Sequence, residues 1–200
     1  MSIRTSIRLL AAAIAAVAAP GPAGGYIHFP PLTMPEMCQK STTIRVLTVK
    51  KHSKEKGVII YEAAETLKGK TPDGQSFRHA IGNETKETKP ILEWVADGKQ
   101  AVMFTIEGRG FACGFVFIDK FCYSVDHNTK GDFWLLVRVD PEMAATFHGS
   151  VDTLQKVTKD ILAGKEVKVP VDESVKALTT KEREKLVPAL NDVLNKNREK

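Results

Sequence analysis

From residue 42 onward, apolar and polar positions alternate with the two-residue period of β-strands. Thr42–Lys50 (TTIRVLTVK) is dense in β-branched side chains, which pack well on a pleated surface. A polar run ending in Gly57 interrupts it, and Val58–Leu67 resumes the pattern, so the two form a hairpin. Pro72-Asp73-Gly74 marks a turn before a third strand, Ser76–Ile81. Gln100–Glu107, Phe111–Ile118, Phe121–Val125 and Phe133–Val139 continue the series, with a two-residue turn at Asp119-Lys120. Phe133–Val139 (FWLLVRV) is the most apolar of these and is expected at the centre of the sheet. A brief eighth strand is expected at Glu166–Val169, stopped by Pro170.

Three stretches break to helical spacing. Pro90 suits a first helical position, with Ile91, Leu92, Trp94 and Val95 behind it and Gly98 as a C-terminal cap. Ser150–Ala163 places Val151, Leu154, Val157, Ile161 and Leu162 on one face, capped by Ser150 and closed by Gly164. In Thr180–Lys200, Leu186, Leu190, Val193 and Leu194 share a side behind a capping box at Thr179 and Glu182, with a kink at Pro188. Late helices and no regular βαβ alternation give a mainly β fold class: an antiparallel OB-like barrel with an amphipathic C-terminal helix.

The chain before residue 42 is different. Arg4 and Arg8 precede an apolar run, Leu9–Ala19, well short of the roughly 20 residues that span a bilayer. Pro20-Gly21-Pro22 follows, and Gly21 and Ala23 put small residues where a leader is cut. Residues 1–23 therefore read as a signal peptide. Residues 24–41 form a proline-rich segment that Pro30, Pro31, Pro35 and Gly24-Gly25 should keep irregular. Residues 42–170 are the barrel domain with its inserted helices, and 171–200 a helical tail. No later stretch is apolar for long enough to cross a membrane, so no stable span is expected after cleavage. The expected location is secreted or periplasmic, where thiols tend to be oxidised. Losing Arg4 and Arg8 lowers the formal charge from +5 to +3, spread along the chain; no nucleic-acid partner is expected.

Behind Cys38, the strand pair STTIRVLTVKKHSKEKGVIIYEAAETLKG resembles the opening of netrin-like domains of the tissue-inhibitor-of-metalloproteinase type. That resemblance implies an exported OB-type barrel with a disulfide-tethered N-terminal segment. The later runs ADGKQAVMFTI, FCYSVD and FHGSVDTLQKVTKDILAGKEVKVPV resemble a group of uncharacterised secreted bacterial proteins. The inhibitors begin their mature chain with a Cys whose amino group chelates a protease's zinc. Here the mature chain would begin at Gly24, so the resemblance implies fold and export but not protease inhibition.

Three cysteines, Cys38, Cys113 and Cys122, are an odd number for an oxidising compartment. With a tight turn at Asp119-Lys120, Phe117 faces Cys122 and Cys113 faces Asp126. The two sulfurs would lie about 13 Å apart along the strands, beyond the roughly 7 Å between Cα atoms that a disulfide tolerates. A bridge from Cys38 to Cys113 or Cys122 is therefore expected, three buried thiols being the other reading.

Candidate chemistry is sparse. His28, Met34, Met37 and Cys38 gather soft ligands that suit copper, although prolines and methionines in such a segment serve ordinary packing equally well. His52 lies in a charged loop and His79 beside Arg78 on a strand, where a satisfied or surface residue is expected. His127 follows Asp126, but neighbours on a strand end point apart, and His148 could cap or pack at the last helix. No nucleophile elbow, phosphate loop or Cys-x-x-Cys motif is present, and Cys113 lies in an apolar strand that should leave it inert. Trp94, Phe104, Phe115, Tyr123 and Trp134 could line a groove, though a barrel of this size needs about that many large side chains inside. The expected function is an exported, non-catalytic binding or interaction module with no cofactor, its partner an extracytoplasmic protein or an envelope polymer. The alternative is an extracytoplasmic copper or redox protein using His28, Met34, Met37 and Cys38.

Overall fold

The computed structural model describes residues 32–175, position 109 excepted. The leader, His28 and the expected helix of the C-terminal tail lie outside the described residues.

Seven strands close into a barrel: β1 (Thr43–Ser53), β2 (Val58–Lys68), β3 (Ser76–Ala80), β4 (Gln100–Gly108), β5 (Phe111–Ile118), β6 (Phe121–Asn128) and β7 (Phe133–Val139). Their order around the wall is β1-β2-β3-β7-β6-β5-β4, and β4 returns to β1. All pairings are antiparallel except β3 with β7, which run parallel with His79 beside Trp134 and Ala80 beside Leu135. The barrel expected from the sequence is thus present, but it is mixed rather than purely antiparallel. The parallel seam arises because β3 is followed by a helical crossover before β4 and never meets a hairpin partner on its far side. Register shifts along β1 and β2 coil that hairpin, as β-bulges do where a sheet must curve to close.

Both faces of the wall are dry on one side of the barrel. The lumen holds Leu47, Val49, Ile59, Tyr61, Phe77, Ile81, Met103, Val116, Tyr123, Val125 and Trp134. Its base is plugged by α2 (Lys89–Trp94), which contributes Ile91 and Leu92, with Val95 just beyond it. Outside the wall, α1 (Met34–Lys40) and α3 (Val151–Leu162) cover Ile44, Val102, Phe104, Phe117 and Cys122. Five successive residues of β1, Thr43–Leu47, are therefore buried, with no alternation. Ala101–Thr105 of β4 are buried in succession in the same way; each fully buried aliphatic side chain stabilises by roughly 1.5–3 kcal/mol.

Several expectations need correction. The segment expected to be irregular contains α1. Thr33 and Glu36 form a reciprocal capping box, with Pro35 in the first turn, where its missing N–H costs nothing. Lys68 Nζ closes the other end by donating to the carbonyls of Cys38 and Gln39 at 2.8 and 2.9 Å. Glu166–Val169 pairs with no strand. Gly98 does not cap α2, which ends at Trp94; its N–H instead donates to Val49 O at 2.9 Å and returns the chain to the wall. β7 is not central: Trp134 is its one buried residue, and Leu135 is 41% exposed. Ser150 caps α3 as its sequence position suggests.

Candidate functional site

At the end of the barrel opposite α2, the strand ends diverge around a cleft of about 370 Å³. That volume lies within the range of small-ligand sites. Its lining comes from six strands and the loops between them. Arg45 comes from β1, Phe77 and Arg78 from β3, and Glu107 from β4. Phe111 comes from β5, His127 from β6 and Trp134 from β7. Phe77 and Trp134 are lumen residues, so the cleft sits directly on the core.

Arg45 is the anchor of this floor. Its side chain is only 6% exposed, and its guanidinium carbon stands 5.1 Å from the Phe77 ring centroid. Nε donates to Thr71 Oγ1 at 2.8 Å, Nη1 to Thr105 Oγ1 at 3.3 Å and Nη2 to Glu107 Oε1 at 3.3 Å. Burial pulls its pKa below the ordinary arginine value, and the charge and hydrogen bond of Glu107 counter that pull. A guanidinium has five N–H donors; these contacts engage three. Glu107 itself, 43% exposed, also accepts from Thr43 and Thr105 hydroxyls.

Around the anchor lie Lys70 and Arg78, both exposed. Arg78 packs 5.8 Å from the Phe133 centroid, and neither cation has an ion-pair partner among the described residues. On the opposite side, His127 Nε2 lies 3.3 Å from Asp132 Oδ1, and its ring lies 4.8 Å from Trp134. With Arg45 paired to Glu107, the cations Lys70 and Arg78 outnumber the one remaining carboxylate of the lining, Asp132. The cleft is cationic.

Beneath Trp134 the lumen carries a buried polar chain. Tyr61 and Tyr123 hydroxyls meet at 3.0 Å, and Tyr123 OH lies 3.2 Å from His79 Nδ1. His79 is wholly buried, edge-on to Tyr61 with centroids 4.8 Å apart, and its Nε2 has no partner. Burial drives its pKa down to about 3, so the ring is neutral at ordinary pH. Of the expected satisfied or surface residue, His79 is thus the buried kind, hydrogen-bonded through Nδ1.

The other singled-out residues scatter. Met34, Met37 and Cys38 lie on α1, each at most 2% exposed, and pack in the outer layer against Phe104 and Phe117. Their sulfurs serve as apolar filling, and burial pushes the Cys38 thiol up to about 11 despite Lys68. All three cysteines are free, which overturns the expected bridge from Cys38. Cys38 and Cys122 share the outer layer without pairing. The expected register does hold: Phe117 faces Cys122, and Cys113 faces Asp126. Burial first, and then Asp126, raises the Cys113 thiol to about 11, consistent with an inert cysteine. Of the five candidate groove aromatics, only Trp134 reaches the cleft; Phe104 and Tyr123 are fully buried, and Trp94 and Phe115 pack at the margins of the two cores. His52 pairs with Asp97 at 3.0 Å, and the backbone N–H of His148 donates to Pro170 O.

Arg45, Lys70, Phe77 and Arg78 escape sequence reasoning. Arg45 sits in a strand whose residues are buried on both faces, so period-two logic gives it no special position. Lys70 and Arg78 read as ordinary solvated charges. Only closure of the barrel brings them together.

No family model matches the chain, and neither a curated protein nor a solved structure matches it.

Proposed function

We propose that this chain is an exported, non-catalytic binding module that offers the mouth of its barrel to an envelope polymer. The observation that carries the reading is the cleft itself: Phe77 and Trp134 at its base, a guanidinium already fixed in place, and two cations without an ion-pair partner among the described residues. Fixing Arg45 by stacking and three hydrogen bonds removes the rotamer entropy that binding would otherwise cost. That is the mark of a site prepared for recognition.

The same geometry favours binding over catalysis. His127 is the imidazole that lines the cleft, and its contacts are Asp132, 95% exposed, and the Trp134 ring. Among the described residues no hydroxyl or thiol stands in hydrogen-bond reach of it to serve as a nucleophile. The rim consists of Lys70, Pro72, Gln75, Ser76, Gly108 and Thr129. The large apolar side chains that are exposed, Leu135, Leu162 and Val171, do not line it. The cleft is concave, and most of the lining that reaches solvent is polar, which suits a polar chain entering it.

The test is co-sedimentation of the purified chain with an insoluble envelope-polysaccharide fraction, alongside a charge-reversed variant, Lys70→Glu with Arg78→Glu. The expected result is retention of the parent and release of the variant. Equal retention of both would remove the mouth from the reading. The mass of the exported chain, expected to begin at Gly24, tests the location.

A further inference from the structure

Resting on the barrel-mouth reading, we infer that the cleft recognises the carboxylate of an acidic sugar, with the sugar's hydroxyls meeting the polar lining. Three observations lead there. The first is the state of Arg45: a rigid, nearly buried guanidinium lines an open cleft and engages only some of its N–H groups with Thr71, Thr105 and Glu107. A nearly buried cation with donors left over beside a cavity is completed by an oxyanion, and a planar fork suits a planar carboxylate.

The second is the position of the free charges. Lys70 follows β2, and Arg78 sits on β3, so both stand on the same side of the mouth as Arg45. Glu107 is paired with Arg45. An incoming anion therefore meets three cations, Arg45, Lys70 and Arg78, against two carboxylates, Glu107 and Asp132.

The third is size and polarity. A cleft of about 370 Å³ with Gln75, Ser76, Thr129 and the backbone at Gly108 and Gly110 around it takes a body rich in hydroxyls. It holds a sugar unit or two of a chain, whose remainder would leave over the polar rim. A bare phosphate would leave most of the cleft and its hydroxyl and amide groups unused, and an acidic peptide offers them few hydroxyls.

The experiment is a titration of the purified chain with galacturonate trimer, followed by tryptophan fluorescence and by the His127 ring resonances. Parallel titrations use galactose trimer, inorganic phosphate and a glutamate trimer. The expected result is saturable binding of the acidic sugar alone, at least about tenfold weaker in Lys70→Gln/Arg78→Gln and weakened by added salt. Both substituted side chains are exposed, so the variant should keep its fold, which its circular dichroism checks. Equal binding of the neutral trimer would overturn the carboxylate. Equal binding of phosphate or of the peptide would overturn the sugar. No binding of the acidic trimer, with sedimentation on envelope polysaccharide still lost in the charge-reversed variant, would overturn this inference and leave the barrel-mouth reading standing.

Discussion

Arg45 lies over Phe77 with 5.1 Å between guanidinium carbon and ring centroid, a cation held at the boundary between lumen and solvent. The contact makes one residue answerable to both stability and recognition. Arg45→Met keeps the packing but strands Thr71 and Thr105 and frees Glu107. The expected loss is about 1–3 kcal/mol, read from urea denaturation, because one partner of the pair is half in water. Arg45→Lys should recover little of it, since an ammonium cannot span three acceptors. An unchanged urea midpoint in both variants would show the network to be ornamental.

His79 predicts an acid sensitivity. Its folded pKa of about 3 lies below the unfolded value of 6.5, so the unfolded chain binds the extra proton. The stability that comes from keeping the ring neutral is complete above pH 6.5 and drains as pH falls toward 3. The slope is about 1 kcal/mol per pH unit over that window. Comparing urea midpoints at pH 7 and pH 5 isolates the effect before most carboxylates titrate. His79→Phe should flatten the difference; an equal slope in that variant would place the acid sensitivity elsewhere.

The free thiols predict slow chemistry. Burial raises Cys38 and Cys113 to about 11 and lifts Cys122 well above its ordinary value. A thiol reagent at neutral pH should find the folded chain almost unreactive, with Cys113, the half-buried one, leading. Unfolding in urea without reductant should release all three. A count of one would mean that the chain carries a disulfide.

Much of the architecture is readable from sequence because strands announce themselves. Thr42–Lys50 is dense in β-branched side chains, Gly57 breaks it from Val58–Leu67, and Ser150 with Gly164 brackets α3 as such residues should. The misses have physical causes. Three prolines near residue 33 outweigh the capping signature of Thr33 and Glu36, although a proline in the first turn is compatible with a helix. β7 looks central because it is apolar, yet a barrel has no centre strand. The cleft is the least legible part: Arg45 and Arg78 are thirty-three positions apart, Trp134 lies farther still, and no local spacing records their meeting.

The capping box at α1 gives a fourth expectation. Thr33→Ala removes the oxygen that accepts from the Glu36 N–H and the hydroxyl that donates to its carboxylate. It should cost about 1 kcal/mol and speed hydrogen exchange at the Met37 and Ser41 amides, which report the helix. Exchange left at its parent rate would mean that the buried Met34 and Met37 hold the helix unaided.

Gly57 gives a fifth. It turns the β1–β2 hairpin with φ of +55°, and its carbonyl accepts from Ile81 and Gly82 at 2.7 and 3.2 Å. A Cβ there would stand 1.8 Å from Gly82 O. Gly57→Ala should cost more than about 2 kcal/mol, whereas Gly74→Ala, with a similar φ and open space, should cost less. Equal thermal midpoints in the two variants would contradict the contact.

The union of β3 with β7 rests on two residue pairs, His79 with Trp134 and Ala80 with Leu135. A nascent chain must therefore reach residue 135 before its wall can be completed. Until then, β3 and β6 each leave a row of peptide groups bare to any neighbouring chain. A fragment cut in the 129–132 loop would inherit that condition permanently and assemble with copies of itself. The protein is in this sense indivisible: its last strand is the one that makes it safe in solution.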